Sequence, residues 1–185
     1  MNLRRYKEMA DSSFVCHICN QSHEGIPLSF GADYPDMYAN MPDAEHSTRA
    51  LITSDQCIID DTWFFVRGCL EIPIIETEEV FLWGLWASIK EEVFDELSES
   101  WEQEGRESRQ GPFKGRLANS LSVYPDTLNL KLRLIVQPVG QRPLFVLEEE
   151  HPLTMAQRSG MSRHEAAELS HNLLRIQGRS SRSHQ

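Results

Sequence analysis

Residues 128–137 read Leu-Asn-Leu-Lys-Leu-Arg-Leu-Ile-Val-Gln. Leu128, Leu130, Leu132, Leu134 and Val136 fall two apart, with Asn129, Lys131, Arg133, Ile135 and Gln137 between them. Successive strand side chains point to opposite faces, so this spacing predicts a half-buried strand with one wet face. Such strands belong to antiparallel sheets. Upstream, residues 57–59 and 62–67 are rich in β-branched and aromatic types, with Asp60-Asp61 between them as a turn signal. Leu70, Ile72 and Ile74 alternate with Glu71 and Pro73, and Pro73, which has no N–H, suggests an edge. Phe81, Trp83, Leu85, Ala87 and Ile89 share one face of another strand. Trp86 falls on the opposite face, where it is a candidate for exposed contact. Residues 143–147 make a last strand.

Three helices follow from capping and periodicity. Ser88 and Glu91 have capping-box spacing, opening a helix that runs to about Glu104 and stops near Gly105. Val93, Leu97 and Trp101 would form its buried stripe. Pro152 suits the first turn of a short helix ending at Gly160. Ser162 and Glu165 form a second capping box, and Ala166, Leu169, Leu173 and Ile176 share a face, with Gly178 as a C-terminal stop. Strands first and helices later predict an α+β single domain: a central, mostly antiparallel sheet with helices on one face and a cysteine knuckle at the N-terminus. Residues 1–13 read as a loose arm, 14–176 as the globular domain, and 177–185, which carry no apolar side chain, as a disordered tail. Residues 111–125 read as a long irregular connection and a candidate functional loop.

The chain has 185 residues, with 18 Lys plus Arg against 28 Asp plus Glu, a net charge of −10. That balance argues against a protein whose main work is gripping nucleic-acid phosphates. No apolar run follows the N-terminal charges, so a secretory signal is not expected. The longest apolar stretch, 80–89, is half of the roughly 20 residues a membrane span needs. These features point to a cytoplasmic protein, in which four cysteines are thiols or metal ligands rather than disulfides.

The sharpest chemical signal is Phe14-Val-Cys16-His-Ile-Cys19-Asn20, with His23 following. Two cysteines separated by two residues can turn both sulfurs toward one tetrahedral ion. A closed zinc site needs four ligands, and Cys16, Cys19, His23 and Cys57 are the preferred set. Two other readings stay open: free thiols, and a redox pair, which the turn-like residues after Cys19 do not favour. Cys69 reads as a core residue. Asp55, Asp60 and Asp61 could hold Mg²⁺ or act as acid and base, but Asp at strand ends is mostly a turn former. Glu148-Glu-Glu-His151 could offer metal ligands or be a solvated run before a helix start, and His164 and His171 read as surface residues. The acidic helix (Glu91, Glu92, Asp95, Glu96, Glu99, Glu102, Glu104) is a wet face or an acidic patch for a basic partner. No G-x-S-x-G, H-E-x-x-H or phosphate-loop motif occurs.

Several longer motifs follow one another in a familiar order. They are the knuckle with His23-Glu-Gly-x-Pro27, Ser54-Asp-Gln-Cys57-Ile-Ile-Asp60, Phe64-Phe-Val-Arg67-Gly-Cys-Leu-Glu71-Ile-Pro73, Trp83-Gly-Leu-Trp86-Ala-Ser88, Tyr124-Pro-Asp-Thr127-Leu-Asn-Leu130-Lys131 and His151-Pro-Leu-x-x-x-Gln157-x-x-Gly160. Together they resemble a bacterial family of unassigned role, domain of unknown function 2199, over about residues 14–174. The resemblance implies a single-domain bacterial protein and carries over no catalytic residue. Asn20 and Cys69 depart from the residues usual at those positions.

The function expected is that of a protein-binding module, of inhibitor or immunity type, with a structural zinc knuckle and a partner bearing a basic surface. The alternative is a metal-dependent hydrolase that uses the cysteine-cluster metal, with Asp55, Asp60 or His151 as general base.

Overall fold

The computed structural model describes residues 13–15, 22–25 and 27–180, with side chains from residue 27 to 176. The strands are β1 (Ser13–Val15), β2 (Ser22–Glu24), β3 (Ser29–Gly31), β4 (Ala50–Ile52), β5 (Gln56–Ile59), β6 (Trp63–Pro73), β7 (Val80–Ile89), β8 (Phe113–Leu117), β9 (Lys131–Ile135) and β10 (Leu144–Leu147). The helices are α1 (Asp36–Ala39), α2 (Asp43–Arg49), α3 (Glu91–Glu99), α4 (Pro152–Ser159) and α5 (Arg163–Ser180), with a 3₁₀ turn at Arg106–Ser108.

A long hairpin organises the rest. β6 and β7 pair antiparallel from Phe64 opposite Ile89 to Pro73 opposite Val80. The ladder continues antiparallel from β7 to β8, β8 to β9 and β9 to β10. β10 then returns to β6 in parallel, with Leu144 opposite Cys69. The expected α+β domain with a mostly antiparallel sheet is present, and its sheet closes into a five-stranded barrel. β3 extends β7 in parallel, and β5 and β4 extend the first half of β6.

Closure follows from a glycine. A Cβ on Gly68 would lie 2.4 Å from the Phe145 ring and 2.7 Å from the Pro143 carbonyl oxygen. Without one, β6 runs unbroken through Gly68, and the Phe145 ring fills the space against it. The sequence reading ended a strand at this glycine; the structure uses it as the point where β10 approaches.

The hairpin is buried on both faces. Inside the barrel Val66, Leu70 and Ile72 of β6 meet Phe81, Trp83, Leu85 and Ala87 of β7, with Leu132, Leu134, Phe145 and Leu147 from the later strands. Leu97 of α3, Leu153 of α4 and Ala166 and Leu173 of α5 belong to the same core. On the outer face, Cys57, Ile59, Phe65, Trp86 and Ala118 form a second cluster with Met41, and Tyr38 of α1 packs against it. Helical segments therefore lie around a closed barrel rather than on one face of an open sheet. Trp86 is fully buried and its indole N–H donates to the Ala32 carbonyl oxygen at 3.3 Å, so it is not an exposed contact residue.

Other local expectations resolve in physical terms. The alternation around β9 holds from Leu130 to Val136, whereas Leu128 is exposed. Residues 111–125 are not irregular throughout: they contain β8, where Phe113, Gly115 and Leu117 alternate with exposed Lys114 and Arg116. Ser88 does not cap α3. It lies in β7 opposite Arg116, its hydroxyl donates to the Arg116 carbonyl oxygen at 3.4 Å, and Lys90 holds the cap position. α3 stops at Glu99, where the Ser100 hydroxyl donates to the Glu96 carbonyl oxygen at 2.8 Å. Phe94 and Leu97 form its buried side, with Val93 and Trp101 half-buried. The second capping box forms as expected: the Ser162 N–H donates to the Glu165 carboxylate at 2.7 Å and the Glu165 N–H to the Ser162 hydroxyl at 3.2 Å. α5 passes Gly178 and reaches Ser180.

Candidate functional site

β1 and β2 pair antiparallel with Phe14 opposite His23, and residues 16–21 connect them. Cys16, Cys19 and the His23 side chain lie outside the described residues. Cys57 is described. It is 1% exposed in the outer apolar cluster, and burial pushes its thiol up to about 12. No group of three His, Cys, Asp or Glu side chains suited to a metal occurs among the described residues.

The carboxylates and histidine offered as general bases are each held locally. Asp55 accepts from Arg142 and from the Ser54 hydroxyl. Burial acts to raise its pKa, yet these two hydrogen bonds together with the charges of Arg142 and Arg67 hold the carboxyl below the usual range. Asp60 forms a two-pronged pair with Arg49, which lowers its pKa. Asp60 and Asp61 both have positive φ, as turn formers do. His151 caps α4 by accepting from the Leu153 N–H at 3.1 Å. His164 lies 3.4 Å from Glu168 on the exposed side of α5.

Two places have more to offer. The first is a groove of about 800 Å³ along one end of the barrel, at the start of β6 and the end of β7. Trp63, 48% exposed, lines it with Lys90, Glu91, Lys114, Arg116 and Lys131. The chain has only four lysines, and three of them are here. β8 and β9 bring them together: Lys114 is opposite Arg133, and Arg116 is opposite Lys131. Like charges directly opposite repel, and Glu149 and Glu148 relieve this at Lys131 (2.8 Å) and Arg133 (3.2 Å). Lys90 and Lys114 have no ion pair among the described residues. Where the groove meets α3, the sign of the charge changes. Glu91, Glu92, Asp95, Glu96 and Glu99 are all exposed. None forms an ion pair among the described residues, although Glu96 accepts from Gln110 at 3.3 Å. Sequence reasoning found the acidic helix and missed the cationic groove, because the signal lies in the register between two strands.

The second place is the outer face of β6, where Arg67 and Cys69 follow one another two residues apart. Arg67 is 8% exposed, its guanidinium carbon lies 5.9 Å from the Trp86 ring centroid, and Asp33 stands 3.9 Å away. Burial, then Arg142 beside it, lowers its pKa. Cys69 is half-buried, and burial raises its pKa.

These features define a small α+β domain on a five-stranded barrel, with a groove at one end that carries both signs of charge around an exposed tryptophan. The chain belongs to the bacterial family described as "Uncharacterized protein conserved in bacteria (DUF2199)", whose model matches residues 15–161. No curated protein matches the chain, and no solved structure does. Among the described residues, no helix is long and apolar enough to cross a membrane.

Proposed function

We propose that this protein is a protein-binding module, of inhibitor or immunity type, whose partner presents a basic surface to α3 and an apolar side chain to Trp63. The observation that carries this reading is the exposed Trp63, set in a groove beside a helix whose carboxylates form no ion pair among the described residues. Aromatic residues at the centre of a docking surface supply most of the binding energy, and charged surroundings of both signs fix orientation and speed encounter. The alternative of a metal-dependent hydrolase draws no support from Asp55, Asp60 or His151, each already held in a local contact.

The test starts with capture of a partner from the native host and then measures its association rate with the purified chain. The reading expects the rate to fall steeply with salt. It expects Glu92→Gln/Asp95→Gln/Glu99→Gln to slow association, and Trp63→Ala to speed dissociation. A rate indifferent to salt and to both variants would sink it.

A structural zinc ion on Cys16, Cys19, His23 and Cys57 is part of the proposal. The spacing of the pair supports it, as does its position in the connection of an antiparallel strand pair. One zinc per chain in protein purified without a metal-binding tag, lost in Cys16→Ser together with a lowered Tm, is the expected result. Zinc-free protein with an unchanged Tm in the variant counts against the knuckle.

A further inference from the structure

Arg67 is nine-tenths buried, yet its Nε and Nη2 donate to nothing among the described residues. Both nearby carboxylates fail to serve it. Asp55 accepts the Arg67 backbone N–H through its own carbonyl oxygen at 2.8 Å, while its carboxylate is taken by Arg142 and Ser54. Asp33 stands 3.9 Å from Nη2, beyond hydrogen-bond length, with its side chain 74% exposed to water. The Trp86 ring at 5.9 Å offers the charge a π-face but accepts neither orphan N–H in the plane of the guanidinium. A buried guanidinium with two donor nitrogens unmatched and only a long, water-exposed ion pair to Asp33 is costly, and burying it beside a second cation is costlier. The side chain that would best fit this outer apolar cluster is an uncharged one.

We propose that Arg67 anchors an oxyanion site, in which the carboxylate or phosphate of a ligand displaces Asp33 and takes the two free donors, with Arg142 alongside. A guanidinium presents paired donors in one plane, which matches two oxygens of a carboxylate or phosphate. Asp33 competes for the same donors and is the group an incoming anion has to move. This site is separate from the groove at the barrel end and does not depend on the protein-binding reading.

The probes are inorganic phosphate and acetate, titrated into the full chain against chloride at matched ionic strength and followed by Tm. Phosphate alone raising the Tm identifies a phosphoryl ligand, acetate alone a carboxylate, and both an oxyanion site indifferent to the source. Arg67→Met should weaken the response about tenfold or more, the loss expected for a charge-assisted hydrogen-bond pair. Asp33→Asn should strengthen it severalfold, an effect no purely structural role of Arg67 produces. The proposal is overturned if neither anion acts on the parent chain, or if Arg67→Met responds as the parent does. Should Arg67→Met fail to fold, Asp33→Asn decides: unchanged or weaker anion binding rejects the site.

Discussion

Gly68→Ala tests the closure of the barrel. A methyl group there would lie 2.4 Å from the Cε1 and Cζ atoms of Phe145 and 2.7 Å from the Pro143 carbonyl oxygen. Carbon atoms rest at about 3.5–4.0 Å, so the ring has to retreat by more than about 1 Å. Such overpacking costs about 1–3 kcal/mol. The Pro143 oxygen also accepts the Cys69 N–H at 2.8 Å, and pushing it away gives up about 1 kcal/mol more. Reduced freedom of the unfolded chain returns about 0.4–1 kcal/mol. The net expectation is a loss of about 1–3.5 kcal/mol, read from urea unfolding. Phe145→Leu removes the atoms that clash, so in that background the same substitution should cost only about 0.5 kcal/mol or less. The reasoning fails if Gly68→Ala costs less than about 0.5 kcal/mol, or costs the same in both backgrounds.

Two further predictions concern buried polar groups. Arg106 is 1% exposed and donates to the carbonyl oxygens of Gln137, Trp101 and Gln141 at 2.8, 2.8 and 2.9 Å, so Arg106→Met should destabilise by about 3 kcal/mol or more in the same urea assay; a loss under about 1 kcal/mol would show those carbonyls satisfied elsewhere. In zinc-free protein, Cys57 keeps its proton in the folded chain up to about 12 against an ordinary value of 9.0, so above pH 9 the unfolded chain loses a proton that the folded one holds. Stability should therefore fall as pH rises from 9 toward 12, by up to about 1.4 kcal/mol per pH unit from this group. Cys57→Ala should flatten that slope, and parallel profiles for the two proteins would refute the assignment.

The strands were legible where one face is wet. Around β9 the alternation of leucines with Asn129, Lys131 and Arg133 needs no knowledge of the fold, and Leu130 to Val136 alternate in the structure as read. Reading failed where the third dimension decides. Gly68 looks like a break because propensity sees a missing side chain, while the structure sees room for a ring from residue 145. β8 was hidden by Gly111, Pro112 and Gly115, although its alternation with Lys114 and Arg116 was present. Ser88 had cap spacing, but pairing with β8 claimed it first. The acidic helix was visible as composition. The groove and the unmatched donors of Arg67 were not, since both depend on which residues face each other across strands far apart in sequence.

The parallel contact between β10 and β6 is a single rung, Leu144 against Cys69, whereas β6 and β7 share ten residue pairs. In a ring stitched so unevenly, any local opening should begin at that seam. The Cys69 amide, bonded to Pro143, should exchange with deuterium sooner than those of the long hairpin. Arg142 immediately precedes Pro143 and donates to Asp55, so an opening of the seam would strain the Arg142–Asp55 contact in the wall beside Arg67.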